Sequence, residues 1–103
     1  MPIVGKNWNM IDIDSKVLRA TIDRNGHKMQ SVVVMEELCE LGQQVSKQIR
    51  GEGNHDHLVE EIADVLICVS QLFEMYNVRE PELQAAVDQK LLRLERRNRK
   101  NLV

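Results

Sequence analysis

The sequence predicts an all-α protein, four helices packed as a bundle of which two long central helices carry acidic motifs. Three observations carry that prediction. Apolar residues recur at steps of three and four over long stretches; the chain has only two prolines; and Asn25-Gly26 and Gly51-Glu52-Gly53-Asn54 interrupt the periodic runs where turns belong. At 103 residues the chain is one domain, or one protomer of an assembly. A chain of this size buries only about two-thirds of the surface its unfolded form exposes, so association is a common remedy.

The first residues, MPIVGKNWNMID, lack helical periodicity, and residues 1–13 are expected to form an irregular arm that includes Trp8. Residues 14–103 make the all-α domain. A first helix fits 14–24, capped by Asp14 or Ser15, with Val17, Leu18 and Ile22 as its apolar edge. From about His27 to Arg50, Val34, Leu38, Leu41, Val45 and Ile49 mark a second helix. Asp56 is expected to cap the third, which runs to about Tyr76, is apolar on nearly every side and is therefore the central one. Asn77 suits its end. Pro81 fits the first turn of a last helix that turns Leu83, Val87, Leu91 and Leu94 inward.

Composition excludes several classes. The longest mostly apolar stretch, Ile62 to Val69, is too short to span a bilayer and contains Asp64, so no membrane association is expected. A net charge of −2 argues against the whole chain being a nucleic-acid binder. Cys39 and Cys68 have no metal-ligand spacing, and no secretory segment opens the chain, which points to a reducing, cytoplasmic setting. Charge is uneven, however: acids gather at 36–40 and 60–64, while Lys90, Arg93, Arg96, Arg97, Arg99 and Lys100 crowd the C-terminus.

The acids are the chemistry-bearing feature. Glu37 and Glu40 lie three apart on the second helix, and Glu61 and Asp64 lie three apart on the third, so each pair shares a face. Two antiparallel helices joined by the 51–55 loop would bring all four carboxylates to one point. Unpaired, such a cluster is costly, and either protons or a cation must relieve it. All-oxygen donors suit Mg²⁺ or Mn²⁺ and not zinc; His55 and His57 lie off this face. Solvated glutamates, dipole-complementing acids in the first turn of a helix, or a salt bridge from Asp64 to a C-terminal arginine are the structural alternatives.

These residues resemble a known pattern. E-E-x-x-E at 36–40 followed by E-x-x-D at 61–64, within EELCEL, HDHLVEEIADVLICV and DQKLLRLERR, is similar to the signature of the MazG-like all-α nucleoside triphosphate pyrophosphohydrolases. The resemblance covers roughly residues 27–97 and leaves the N-terminal arm aside. It implies cleavage of a (deoxy)nucleoside triphosphate between its α- and β-phosphates, giving the monophosphate and pyrophosphate. It implies metal ligands at Glu37, Glu40, Glu61 and Asp64, with Glu36 orienting the attacking water or acting outside the ligand set. Glu36 or Glu40 is then the candidate base. It also implies a homo-oligomer, dimer or tetramer, with sites at or near subunit interfaces.

Lys90, Arg93 and Arg97, at i, i+3 and i+7, line one face of the last helix and are candidates for holding phosphates, as is Lys47. Gln30 is a candidate for hydrogen bonding to a base. A reading of a different class is a non-catalytic helical interaction module whose basic C-terminal helix contacts nucleic acid.

Overall fold

A computed structural model describes residues 11–101 and forms them into four α-helices, the all-α, four-helix fold that the sequence predicts. Trp8 and most of the expected arm lie outside the described residues. The helices are α1 (Ser15–Asn25), α2 (His27–Ile49), α3 (His55–Met75) and α4 (Glu80–Asn101).

Local chemistry sets each boundary. Asp14 caps α1, its Oδ1 accepting from the Lys16 N–H at 2.9 Å. Gly26 turns the chain from α1 into α2 at φ 82°, a left-handed conformation that a Cβ disfavours, and its N–H donates to the Ile22 carbonyl at 2.7 Å. The cap of α3 is Asn54 and not the expected Asp56: Asn54 Oδ1 accepts from the His57 N–H at 3.1 Å, and Asp56 sits inside the first turn as a dipole complement. Either residue could accept that bond chemically. The helix begins one residue before Asp56, which puts the capping position at Asn54. Asn54→Ala should therefore cost about 1 kcal/mol, read as a lowered urea midpoint at unchanged slope.

Asn77 ends α3 as expected, at φ 52°, and the Val78 N–H reaches back to the Phe73 carbonyl at 3.0 Å. Glu82 then opens α4 by accepting from the Arg79 N–H at 3.1 Å, with Pro81 in the first turn.

Helices α1, α2 and α3 pack together around Ile22, Val34, Cys68 and Met75, with Leu72 against them. The register between α2 and α3 is antiparallel: Gln30 meets Gln71 and, further along the same seam, Glu37 meets Asp64. As α2 is read forward, its partners on α3 are read backward. Arg19 and Glu74 tie α1 to α3 by an exposed ion pair at 3.3 Å, a contact of small energetic weight.

Helix α4 departs from expectation. It packs against none of the other three helices and has no buried residue. Val87, Leu91 and Leu94, expected to face inward, are 40%, 57% and 47% exposed. The radius of gyration is 16.1 Å, against about 13 Å for a compact domain of this length.

Candidate metal centre

The α2–α3 seam gives the acids their geometry. Glu37 on α2 and Glu61 and Asp64 on α3 each offer a carboxylate oxygen, and these oxygens lie within 4.8 Å of one another. Glu61 and Asp64 are one helical turn apart on one face of α3, and the antiparallel register sets Glu37 opposite them. Glu37 and Glu61 are half-buried and Asp64 is exposed. The sequence singled out Asp64 as the charge out of place. The fold puts the desolvated positions at the two glutamates instead, because the phase of α3 turns Asp64 toward the solvent side of the cluster.

Two oxygens, Oε2 of Glu37 and Oε2 of Glu61, are buried without a hydrogen-bond partner. As carboxylates both are acceptors, so neither can satisfy the other. Burial, and then the charges of Glu40, Asp64 and Glu61, push the Glu37 carboxyl up to about 7 from its ordinary 4.5. A single proton on Glu37 would supply the missing donor toward Glu61. Burial also raises the Cys68 thiol to about 11, so it stays protonated and unreactive beside the acids.

The raised Glu37 carboxyl has a thermodynamic consequence. Folded protein binds this proton below about 7 and unfolded chain only below about 4.5, so the folded state holds more protons between those values and its stability falls as pH rises through them. Metal-free protein should thus gain on the order of 1 kcal/mol, once solvent screening of the half-buried carboxyl is allowed for, as pH drops from 8 to 5. Chemical denaturation at a series of pH values measures it; a flat profile, or a gain toward alkaline pH, would contradict the shift.

The other residues nominated from sequence fall into four places. Glu40 lies one turn beyond Glu37 and Glu36 beside it; both are exposed, and Glu40 acts on Glu37 through its charge without joining the group of three. The expected convergence of four carboxylates is thus a convergence of three. Gln30 is 97% buried, at 3% exposure, on the same seam. Lys47 is exposed near the end of α2, and Lys90, Arg93 and Arg97 are exposed on α4, away from the acids within one chain. Among the described residues the salt bridges are Arg19–Glu74, Arg50–Glu52 and Arg99–Glu95. None of them touches the acidic cluster, so neutralisation of these acids by the basic helix does not occur within the chain.

Sequence reasoning passed over Gln71. It is 2% exposed, lines a cavity with Glu37 and Asp64, and bonds to Gln30. Its signal was present: Gln71 follows Asp64 by seven residues, as Gln30 precedes Glu37 by seven, which keeps both pairs on their helix faces.

The donor set fits a hard divalent cation. It is entirely oxygen and anionic, contributed by rigid helices, and it includes two buried oxygens that lack any partner of their own. No helix among the described residues is long and apolar enough to cross a membrane. Compared with family models, characterised proteins and solved structures, the chain finds no match.

Proposed function

We propose that this chain is a Mg²⁺-dependent nucleoside triphosphate pyrophosphohydrolase of the MazG-like type, releasing pyrophosphate and a nucleoside monophosphate and so cleansing or regulating the nucleotide pool. The observation that carries the reading is the convergence of Glu37, Glu61 and Asp64 from adjacent helices with two buried oxygens left unpartnered. Clustered carboxylates without a cation are a standing cost to the fold. Their retention in so small a core has a reason if they hold an ion. The E-E-x-x-E and E-x-x-D signature at 36–40 and 61–64 supports the same reading.

Glu37, Glu61 and Asp64 would hold Mg²⁺, with Mn²⁺ as a substitute, and Glu40, one turn beyond Glu37, would add its charge from outside the group. The ion would supply charge neutralisation of the triphosphate and acidification of a bound water. The chain's own groups do the rest. Glu36 and Glu40 are exposed at the rim, free to accept the proton of an attacking water. Lys47, Lys90, Arg93 and Arg97 are the cations for the departing pyrophosphate. The three on α4 can serve only where assembly brings that helix to a site, because α4 leans on no other helix of its own chain.

A homo-oligomer is therefore part of the reading. Exposed Met29, Val32, Met35, Leu38 and Ile49 on α2 and the apolar side of α4 leave much of the chain's hydrophobic surface uncovered. Cys39 and Cys68 are free thiols, in keeping with a cytoplasmic setting.

The test is pyrophosphate release from the common ribo- and deoxyribonucleoside triphosphates, with and without Mg²⁺ or Mn²⁺. Metal-dependent release supports the proposal. An inert protein across the panel that also fails to bind Mg²⁺ by calorimetry would overturn it, and salt-sensitive nucleic-acid binding lost on neutralising Arg96, Arg97 and Arg99 would favour the interaction-module reading.

A further inference from the structure

Between α1, α2 and α3 lies a cavity of about 420 Å³ that begins at the acids and continues along the seam. At one end it is lined by Glu37 and Asp64, and at the other by Gln30 and Gln71. Seven residues separate the two ends on each helix, which is about 10 Å of helix axis. Because α2 and α3 run antiparallel, both separations point the same way. Val33, Ile67 and Leu18 wall the stretch between them. The cavity is thus polar at both ends and largely apolar between them, with Thr21 and the carboxylates of Asp12 and Asp14 also on its wall, and about as long as a nucleoside.

The far end is a relay of three side-chain amides. Asn25 Nδ2 donates to Gln30 Oε1 at 2.8 Å, and Gln30 Nε2 donates to Gln71 Oε1 at 2.7 Å. Each amide orients the next: turning one of them over alone would set donor against donor or acceptor against acceptor, so the three keep a common direction. Among the described residues the relay ends at Gln71, whose Nε2 is the donor left over. Gln30 and Gln71 are 3% and 2% exposed. Two buried amides at a cavity wall are costly unless they are paired, and these two pair with each other across the α2–α3 seam.

Resting on the nucleotide reading above, we infer that this cavity takes the nucleobase and that Gln71, oriented by Gln30 and Asn25, selects bases carrying an exocyclic carbonyl at the edge farthest from the sugar. With the phosphates at the acids, the edge that reaches the amides is C4 of a pyrimidine or C6 of a purine. An oxo group there accepts from Gln71 Nε2, as in uracil, thymine, hypoxanthine and guanine. An amino group there, as in cytosine or adenine, sets donor against donor and leaves a buried amide unsatisfied. Gln71 is a specificity-determining residue, and Gln30 is a positioning residue that acts through it.

Two readouts separate this selection from the reaction itself. The first is kcat/KM for dUTP against dCTP, and for dITP against dATP. The second is binding of dUMP and dCMP without turnover, followed through the side-chain amide resonances of Gln30 and Gln71. The oxo nucleotide should be preferred by about 10- to 100-fold in both, the range of one buried hydrogen bond made or left unmade. Gln71→Met, close in volume, should remove most of that preference, mainly through KM. Gln30→Met should weaken it while the nucleotide still binds. Circular dichroism on both variants checks the fold; if either unfolds, the wild-type preference and the Gln71 resonance shift decide alone.

Turnover of oxo and amino nucleotides alike, or a preference unmoved by Gln71→Met in a folded protein, overturns the base selection and leaves the pyrophosphohydrolase reading standing. Selective binding of dUMP with no hydrolysis of any triphosphate overturns the reaction and keeps the selection. Absence of both binding and hydrolysis overturns both.

Discussion

Glu37→Gln should abolish pyrophosphate release and, in the metal-free protein, raise the melting temperature. The two effects share one cause. Glu37 is the carboxylate whose oxygen is both buried and without a partner, and whose proton affinity is raised by burial and by Glu40, Asp64 and Glu61. A neutral amide removes the repulsion and brings the donor that Glu61 lacks. Relief on the order of 1 kcal/mol at pH 8, after solvent screening, corresponds to a rise of several degrees for a domain of this size, compared at fixed protein concentration. On the proposed function, the same substitution removes an anionic metal ligand. Losing several kcal/mol of transition-state stabilisation lowers the rate by about 10³-fold or more, at 1.36 kcal/mol per decade.

Asp64→Asn provides the contrast. Asp64 is exposed, so its neutralisation should cost a comparable amount of activity while moving the melting temperature little. A catalytic cluster trades stability for function in this way, most at its most desolvated member. Thermal melts with and without Mg²⁺, beside pyrophosphate release, measure both arms. A Glu37→Gln protein that melts lower than wild type without metal would mean that the carboxylate serves the fold, and retained activity would remove Glu37 from the site.

Helix positions were legible because spacing and caps act locally. Asp14, Gly26, Asn77 and Pro81 stand at or beside boundaries that short-range chemistry enforces. The acidic seam was legible for the same reason, since i and i+3 share a face and a short loop makes neighbours antiparallel. What was hidden depends on the phase of one helix against another. Periodicity marked Val34, Leu38, Leu41, Val45 and Ile49 as one stripe, and it is indeed one helix. Only Val34 of the five is buried, and Ile49 is 82% exposed. An apolar stripe says that a face needs cover and not what covers it. Glu40 was set apart from the group of three by a rotation of less than one turn that no spacing rule resolves, whereas the seven residues from Asp64 to Gln71 already put both on one face.

The uncovered stripes lead to the second large effect: Leu91→Asp combined with Leu94→Asp should dissociate the proposed homo-oligomer and destabilise the fold with it. Leu91 and Leu94 are three apart on α4 and more than two-fifths exposed, as are Leu92 beside them and Met35 and Leu38 on α2. Helix α4 has no tertiary partner in its own chain. Most helical stability in proteins comes from packing of an apolar face, which α4 lacks within its own chain; its Gln84–Asp88 and Glu95–Arg99 pairs add only a few tenths of a kcal/mol each. Covering each leucine contributes about 1.5–3 kcal/mol, and an aspartate in its place adds the cost of a desolvated charge. Two such changes exceed what so small a core can absorb. Light scattering coupled to size exclusion should show wild type as a dimer or tetramer at micromolar concentration and the double variant as a monomer. Its α4 should lose helicity, and its pyrophosphate release should fall with Lys90, Arg93 and Arg97 no longer held near a site. The residues changed lie off the acidic cluster, so Mg²⁺ binding by Glu37, Glu61 and Asp64 should weaken less than turnover does. A wild-type protein that is monomeric at these concentrations, yet fully helical and active, would show that α4 stands without cover, and the apolar stripe would then need a different explanation.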